Sequence, residues 1–186
     1  MELLQRHIVD QPVLCPSSFA ELRTMTRQAL FEIPGPVAVR YPRGGEGAFR
    51  SDTADKPVVR LRAGKDVTLL AYGMMVNHVV AAAELLVEMG VQAEVLKLNR
   101  ISPLEDDIID LLGTPETLLV AEDSFGAGCV GQRVAAKLAE RGSAPKKLIL
   151  KNLGKTYAPE GSVSQLEHSF GLDAEGLAAA VWEARA

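Results

Sequence analysis

From residue 66 onward the chain alternates short apolar runs with helical patterns, and that rhythm restricts it to few folds. "VTLLAYG" (67–73) predicts a buried strand. The next stretch, "VNHVVAAAELLVEMG", predicts a helix with Val76, Val79, Val80, Ala83, Leu86 and Val87 on one face, stopped by Gly90. "AEVLKL" (93–98) is the next strand, and "PLEDDIIDLLG" a short helix starting at Pro103. "TLLVAE" (117–122), a helix from about 128 to 141, and "KLILKNL" (147–153) follow. "PVVRLRAG" (57–64) reads as a strand whose two arginines suit a sheet edge, and Asp173 starts a last helix in "GLDAEGLAAAVWEARA". Helices between successive strands imply right-handed crossovers over a parallel sheet covered on both faces. The expected fold is a three-layer α/β/α unit around a mainly parallel five-stranded sheet.

Within this run, Gly126, Gly128 and Gly131 spell G-x-G-x-x-G between an apolar strand and a helix, the pattern of a dinucleotide loop. Three features oppose that use. Glu122 and Asp123 place two carboxylates at the mouth of the loop, where they repel a diphosphate. The ribose-binding acid expected about 20 residues on is absent, the region reading "PKKLILKN". The loop also follows a late strand rather than the first of a nucleotide-binding half. A tight strand-to-helix turn with close packing is the better reading. The two acids either hydrogen-bond backbone or face a neighbouring subunit.

The first 50 residues break the rhythm. "PSSFAELRTMTRQALFE" is a helix whose Ser18 and Glu21 match a capping box, and "GPVAVRYPRGGEGAF" supplies a strand, a proline-fixed turn and a glycine-rich linker. A lone helix and a lone strand cannot bury both faces. Residues 1–48 therefore read as the end of a preceding domain plus a linker, and residues 49–186 as the α/β/α domain. In "RYPRG", Arg40 and Arg43 lie three apart around Pro42 at a strand end. A guanidinium fixed there suits bidentate contact with a phosphate; two solvated arginines beside a linker are the plain alternative.

Bulk properties exclude several classes. A net charge of -4 gives no general pull toward nucleic acid or anionic membrane. No apolar run approaches the ~20 residues of a spanning helix, and "MELLQRHIVDQP" lacks the layout of a signal peptide. Cys15 and Cys129 are far apart, as are His7, His78 and His168, so two packed thiols in a reducing cytoplasm are expected, and no metal site.

"GPVAVRYPRG" resembles the segment that closes the pyrimidine-binding domain in transketolase-like, thiamine-diphosphate-dependent enzymes, most closely in the 1-deoxy-D-xylulose-5-phosphate synthase family. The resemblance continues through "VTLLAYGMMVNHVVAAAELL", "NRISPLEDD", "VAEDSFGAGCVGQRV" and "GKTYAPEGSVSQLEHSFGLDAEGLA", nearly the whole chain. It implies a C-terminal portion of an enzyme that condenses pyruvate with glyceraldehyde 3-phosphate, losing CO2, with thiamine diphosphate and Mg2+ held by other domains of a homodimer. On that basis Arg43, and less directly Arg40, would bind the substrate phosphate. The resemblance also implies that the glycine loop is a helix-start turn and not an NAD site.

The chain departs from the family at Asn99, where an arginine usually stands. Here Arg100 is displaced by one residue onto the opposite strand face, which suits a salt-bridge arginine at the sheet end. No G-D-G motif occurs, and the glutamate that activates the cofactor belongs to the missing part of the pyrimidine domain. The chain alone is expected to bind no cofactor and to be inactive. Other transketolase-like C-terminal parts (a split transketolase, a 2-oxoacid dehydrogenase beta subunit) and a non-catalytic assembly module remain as alternatives.

Overall fold

The computed structural model describes residues 11–42, 44–155 and 157–185. In chain order the elements are β1 (Val13–Leu14), α1 (Phe19–Phe31), β2 (Ala38–Val39), β3 (Val58–Arg62), β4 (Val67–Tyr72), α2 (Met75–Glu88) and β5 (Ala93–Leu98). They continue with β6 (Arg100–Ser102), α3 (Asp106–Leu112), β7 (Thr117–Ala121), α4 (Val130–Glu140), β8 (Lys147–Lys151), α5 (Val163–Ser169) and α6 (Ala174–Arg185).

The main sheet has the order β3-β5-β4-β7-β8. β5, β4, β7 and β8 run parallel, and β3 is an antiparallel edge on β5. β4 sits in the middle and is buried at all six positions, because its alternate residues feed two different cores. Val67, Leu69 and Ala71 pack with α2 and α6 on one face. Leu70 and Tyr72 pack with α3 and α4 on the other. The architecture is three-layered α/β/α, as the apolar rhythm dictates.

Details differ from the sequence reading. In α2 the buried set is Met75, Val76, Val79, Ala82, Ala83 and Leu86, while Val87 is exposed. The helix is apolar around most of its circumference, so composition does not fix which arc meets the sheet. α3 begins at Asp106, three residues beyond Pro103. α5 has no buried residue and thus no apolar stripe to reveal it; its capping box of Ser162 and Gln165 is its only local signature.

A second, small sheet of order β2-β1-β6 carries the N-terminal segment. β1 pairs in parallel with β2 and antiparallel with β6. α1 buries Glu21 and Met25 and leaves Phe19, Leu30 and Phe31 exposed. Ser18 caps α1 by accepting from the Glu21 N–H, but only half of the expected box forms. The Glu21 carboxylate is used elsewhere, as described next.

Candidate functional site

Two polar constellations lie at the carboxyl ends of the parallel strands and beside the small sheet. The first is the crevice between β4 and β7. The chain leaves β4 toward β5 on one side and returns to β7 on the other, so this is the switch point of the sheet, where open α/β folds commonly bind ligands. Tyr72 ends β4 and Glu122 follows β7. Glu122 is fully buried, and its Oε2 accepts from the Tyr72 hydroxyl (2.9 Å), the Ser124 hydroxyl (2.9 Å) and the Val130 N–H (3.0 Å). Its Oε1 accepts from the Gly131 N–H at 3.0 Å. The carboxylate therefore sits where an incoming anion would meet the start of α4, and neutralises those orphan helix donors itself.

The glycines serve that packing. Gly128 has φ +71°, the left-handed region that favours glycine. A Cβ on Gly131 would lie 2.6 Å from Leu150 Cδ2 and 3.2 Å from Val120 Cβ, so α4 can approach the sheet only with glycine there. The G-x-G-x-x-G pattern is accounted for by a turn, a close helix–sheet contact and an internal carboxylate. A pyrophosphate has no donors left to meet at Val130 and Gly131. The same geometry gives no fit for the diphosphate of thiamine diphosphate, and among the described residues no group of three or more His, Cys, Asp or Glu is arranged to hold a metal ion.

Arg40, directly after β2, reaches into this crevice. Its Nη2 contacts Asp123 Oδ1 at 2.8 Å and the Asp123 carbonyl at 3.3 Å, and its guanidinium stands 5.5 Å from the Tyr72 ring centroid. Burial disfavours the Arg40 charge, but Asp123, Tyr72 and Cys15 together outweigh it and the proton is held more firmly than on an ordinary arginine. Asp123 thus has a partner that the local sequence does not reveal, because it lies across the fold on the N-terminal segment. Cys129 and Arg133 also line the crevice, an open cleft of about 340 Å3. Arg43 lies outside the described residues, so the geometry speaks only for Arg40 of the two phosphate candidates.

The second constellation is a buried ion pair. Lys97 Nζ lies 2.8 Å from Glu21 Oε1, with both side chains at 0% exposure. Glu21 also accepts from the Ser17 N–H at 2.8 Å and the Thr53 hydroxyl at 2.7 Å. Lys97 also donates to Asn99, whose amide in turn donates to the carbonyls of Thr53 and Lys56. Burial pushes the Lys97 ammonium below its usual range, with Glu21 pulling it back. Asn99 is thus a structural amide in this cluster. Arg100 pairs with Glu105, as expected of a sheet-end arginine.

The fold is that of the transketolase C-terminal-domain type. Residues 57–177 match the family described as "Transketolase, C-terminal domain", and the chain belongs to that family. Among curated proteins it is 37% identical over 179 residues to the 1-deoxy-D-xylulose-5-phosphate synthase of Chlorobium luteolum, covering 92% of this chain and 28% of that protein. It is also 37% identical over 180 residues to the same enzyme of Dechloromonas aromatica, covering 94% and 28%. The chain therefore spans little more than a quarter of the length of these relatives. Among solved structures, "Split gene transketolase, inactive beta4 tetramer" superposes with a TM-score of 0.77 at 26% identity, over 97% of this chain and 60% of the other. A transketolase from Pichia stipitis superposes at 0.74 with 17% identity, which reflects the shared fold alone. No helix among the described residues is long and apolar enough to cross a membrane.

Proposed function

We propose that this chain is the C-terminal portion of a 1-deoxy-D-xylulose-5-phosphate synthase. The whole enzyme condenses pyruvate with glyceraldehyde 3-phosphate, losing CO2, and feeds isoprenoid precursor synthesis. The observation that carries the reading is 37% identity to such synthases over more than nine-tenths of the chain. In this reading residues 1–48 close a pyrimidine-binding domain and lead into the domain of residues 49–186. The complete enzyme is a cytoplasmic homodimer. Thiamine diphosphate and Mg2+ are held by domains other than this one and supply a stabilised carbanion equivalent. This chain contributes a substrate-phosphate arginine, Arg43 with Arg40 as the second candidate, and surface for subunit contact.

What these residues do is bind and orient. A guanidinium held beside a proline-fixed turn gives the acceptor's phosphate a planar, two-pronged partner without consuming or releasing a proton. By itself the chain is inactive. Titration calorimetry of the 186-residue chain with thiamine diphosphate and Mg2+ tests this: no heat of binding is expected, and micromolar binding overturns the reading.

A second reading has one observation in its favour. The superposition on a protein described as a split-gene transketolase, of which this chain covers 60%, supports a separately encoded subunit whose partner carries the cofactor domains. The gene decides between them. A G-D-G motif and the cofactor-activating glutamate in the same reading frame support the synthase, and a separate gene for them supports the split subunit.

A further inference from the structure

Among the described residues, the crevice at the carboxyl ends of β4 and β7 contains a charged group, Arg133, that has no ion-pair partner. Arg133, in the first turns of α4, donates from Nη1 to the Ile101 carbonyl at 3.1 Å. Among the described residues no carboxylate lies within ion-pair distance of it. The two acids of the crevice are committed: Asp123 to Arg40, and Glu122 to four donors around its two oxygens. Burial makes the Arg133 charge harder to hold than usual, and the neighbouring Tyr72 offsets this only in part. A half-buried cation of this kind gains most from an anion delivered from outside.

The surroundings suit a small guest. Ile101, Phe125, Ala127 and Val130 give the cleft apolar walls, and Arg40, Tyr72, Ser124 and Arg133 are among its polar lining. The volume of about 340 Å3 is at the lower end of ordinary small-molecule sites. Arg40 stands on the flank with one guanidinium nitrogen spent on Asp123. The location is the switch point of the parallel sheet.

We propose that this cleft binds a small oxyanion on a compact apolar body, a carboxylate or a phosphate monoester, with Arg133 as the principal partner and Arg40 beside it. The proposal does not rest on Arg43; it shares only Arg40, the second candidate, with the proposed substrate-phosphate role. The contrast within the molecule is the basic group at the opposite end of the sheet. There Lys146 is paired with Glu116, Lys147 bonds the Ala184 carbonyl and Arg185 the Asp66 carbonyl. That surface has more cations, but Lys65, Lys146, Lys147 and Arg185 are all exposed to solvent, whereas Arg133 is half-buried.

The test is a titration of the isotope-labelled 186-residue chain with inorganic phosphate, and separately with acetate, at ionic strength held constant with chloride. Amide shifts are followed by NMR. Saturable shifts are expected at Tyr72, at residues 124–133 and at the Arg133 side-chain N–H, from at least one of the two anions. The anion that binds more tightly identifies the preferred head group. Arg133→Gln should weaken binding at least about tenfold, the effect of one lost charge-assisted hydrogen bond. Phe125→Glu, at a half-exposed position in the cleft wall, should weaken it through repulsion without touching the core. Spectra of both variants away from the cleft report whether the fold is kept. The proposal is overturned if neither anion gives saturable shifts, if the shifts centre on Lys65, Lys146, Lys147 and Arg185, or if binding survives both substitutions.

Discussion

The Glu21 carboxylate lies 2.8 Å from the Lys97 ammonium, with both side chains sealed from solvent, and this pair joins α1 to β5 of the main sheet. The Phe49 ring centroid lies 5.5 Å from the same ammonium, and Thr53 bonds Glu21, so the linker after β2 is folded into the joint. Desolvating two charges is expensive, and removing one partner leaves the other buried and uncompensated. Lys97→Met or Glu21→Gln alone should therefore destabilise the chain by about 3–5 kcal/mol in urea unfolding. The double replacement Glu21→Leu with Lys97→Met should cost less than either single change. A double cost equal to the sum of the two single costs would show that the two charges are not coupled.

Glu122 should be nearly as sensitive. Glu122→Ala removes the acceptor for Tyr72, Ser124, Val130 and Gly131 at once and leaves buried donors unmet, at about 1–3 kcal/mol for each fully buried group. Gly131→Ala should cost about 1–3 kcal/mol by overpacking against Leu150. Thermal unfolding checks both. A Gly131→Ala protein as stable as wild type would mean that α4 moves away from the sheet freely.

Sequence carried the layers of this fold because they follow from periodicity. An apolar run such as "TLLVA" is a central strand in nearly any context, and Arg60 and Arg62 fit an edge, where β3 lies. What periodicity could not supply is pairing across distance. Asp123 meets Arg40, and Lys97 meets Glu21, through contacts that exist only after the N-terminal segment docks. A lysine inside the apolar strand "AEVLKL" was the one local sign that a buried anion had to exist. Arg133 left no such sign, since a helical arginine ordinarily lies in water. The glycine loop was legible as a turn, and the carboxylate that fills it was visible as Glu122, although its four donors were not.

The thiols offer a chemical check on burial. Cys15 is fully buried, and burial pushes its thiol up to about 12; burial also raises the Cys129 thiol, which lines the open cleft. At pH 8 the Cys15 thiolate is then roughly one part in ten thousand, against about a quarter for a free cysteine. A disulfide reagent should modify Cys129 first and Cys15 only at the rate of unfolding, both accelerating in urea. Fast modification of both native thiols would contradict the packing described.

Asp173 gives a pH signature. Burial alone would raise its pKa, but hydrogen bonds from His168 and the Gly176 N–H outweigh burial and hold it below the usual carboxylate range. A carboxylate depressed in the folded state adds stability that is present above its unfolded value of about 3.9 and disappears as pH falls through the folded value. Wild-type Tm should thus fall more steeply than that of Asp173→Asn below about pH 4. Parallel curves for the two proteins would remove Asp173 from the acid response.

The reading of Arg43 is tested in the complete enzyme. If its guanidinium holds the acceptor's phosphate, Arg43→Ala removes a charge-assisted hydrogen-bonded contact worth ~1.5–3 kcal/mol. The specificity constant for glyceraldehyde 3-phosphate should then fall roughly 10- to 150-fold. Pyruvate has no phosphate, so the decarboxylation half-reaction should survive. Arg43→Lys should restore only part of the loss, because an ammonium cannot reproduce the planar fork. Arg100→Ala, which breaks a local pair with Glu105, should change the acceptor constant little. Arg40→Ala is the informative comparison. Arg40 is engaged by Asp123 in the crevice, so its loss should lower thermal stability together with any kinetic effect, whereas loss of Arg43 should act on the acceptor alone. An Arg43→Ala enzyme within about twofold of wild type toward glyceraldehyde 3-phosphate would return Arg43 to the status of a solvated linker arginine.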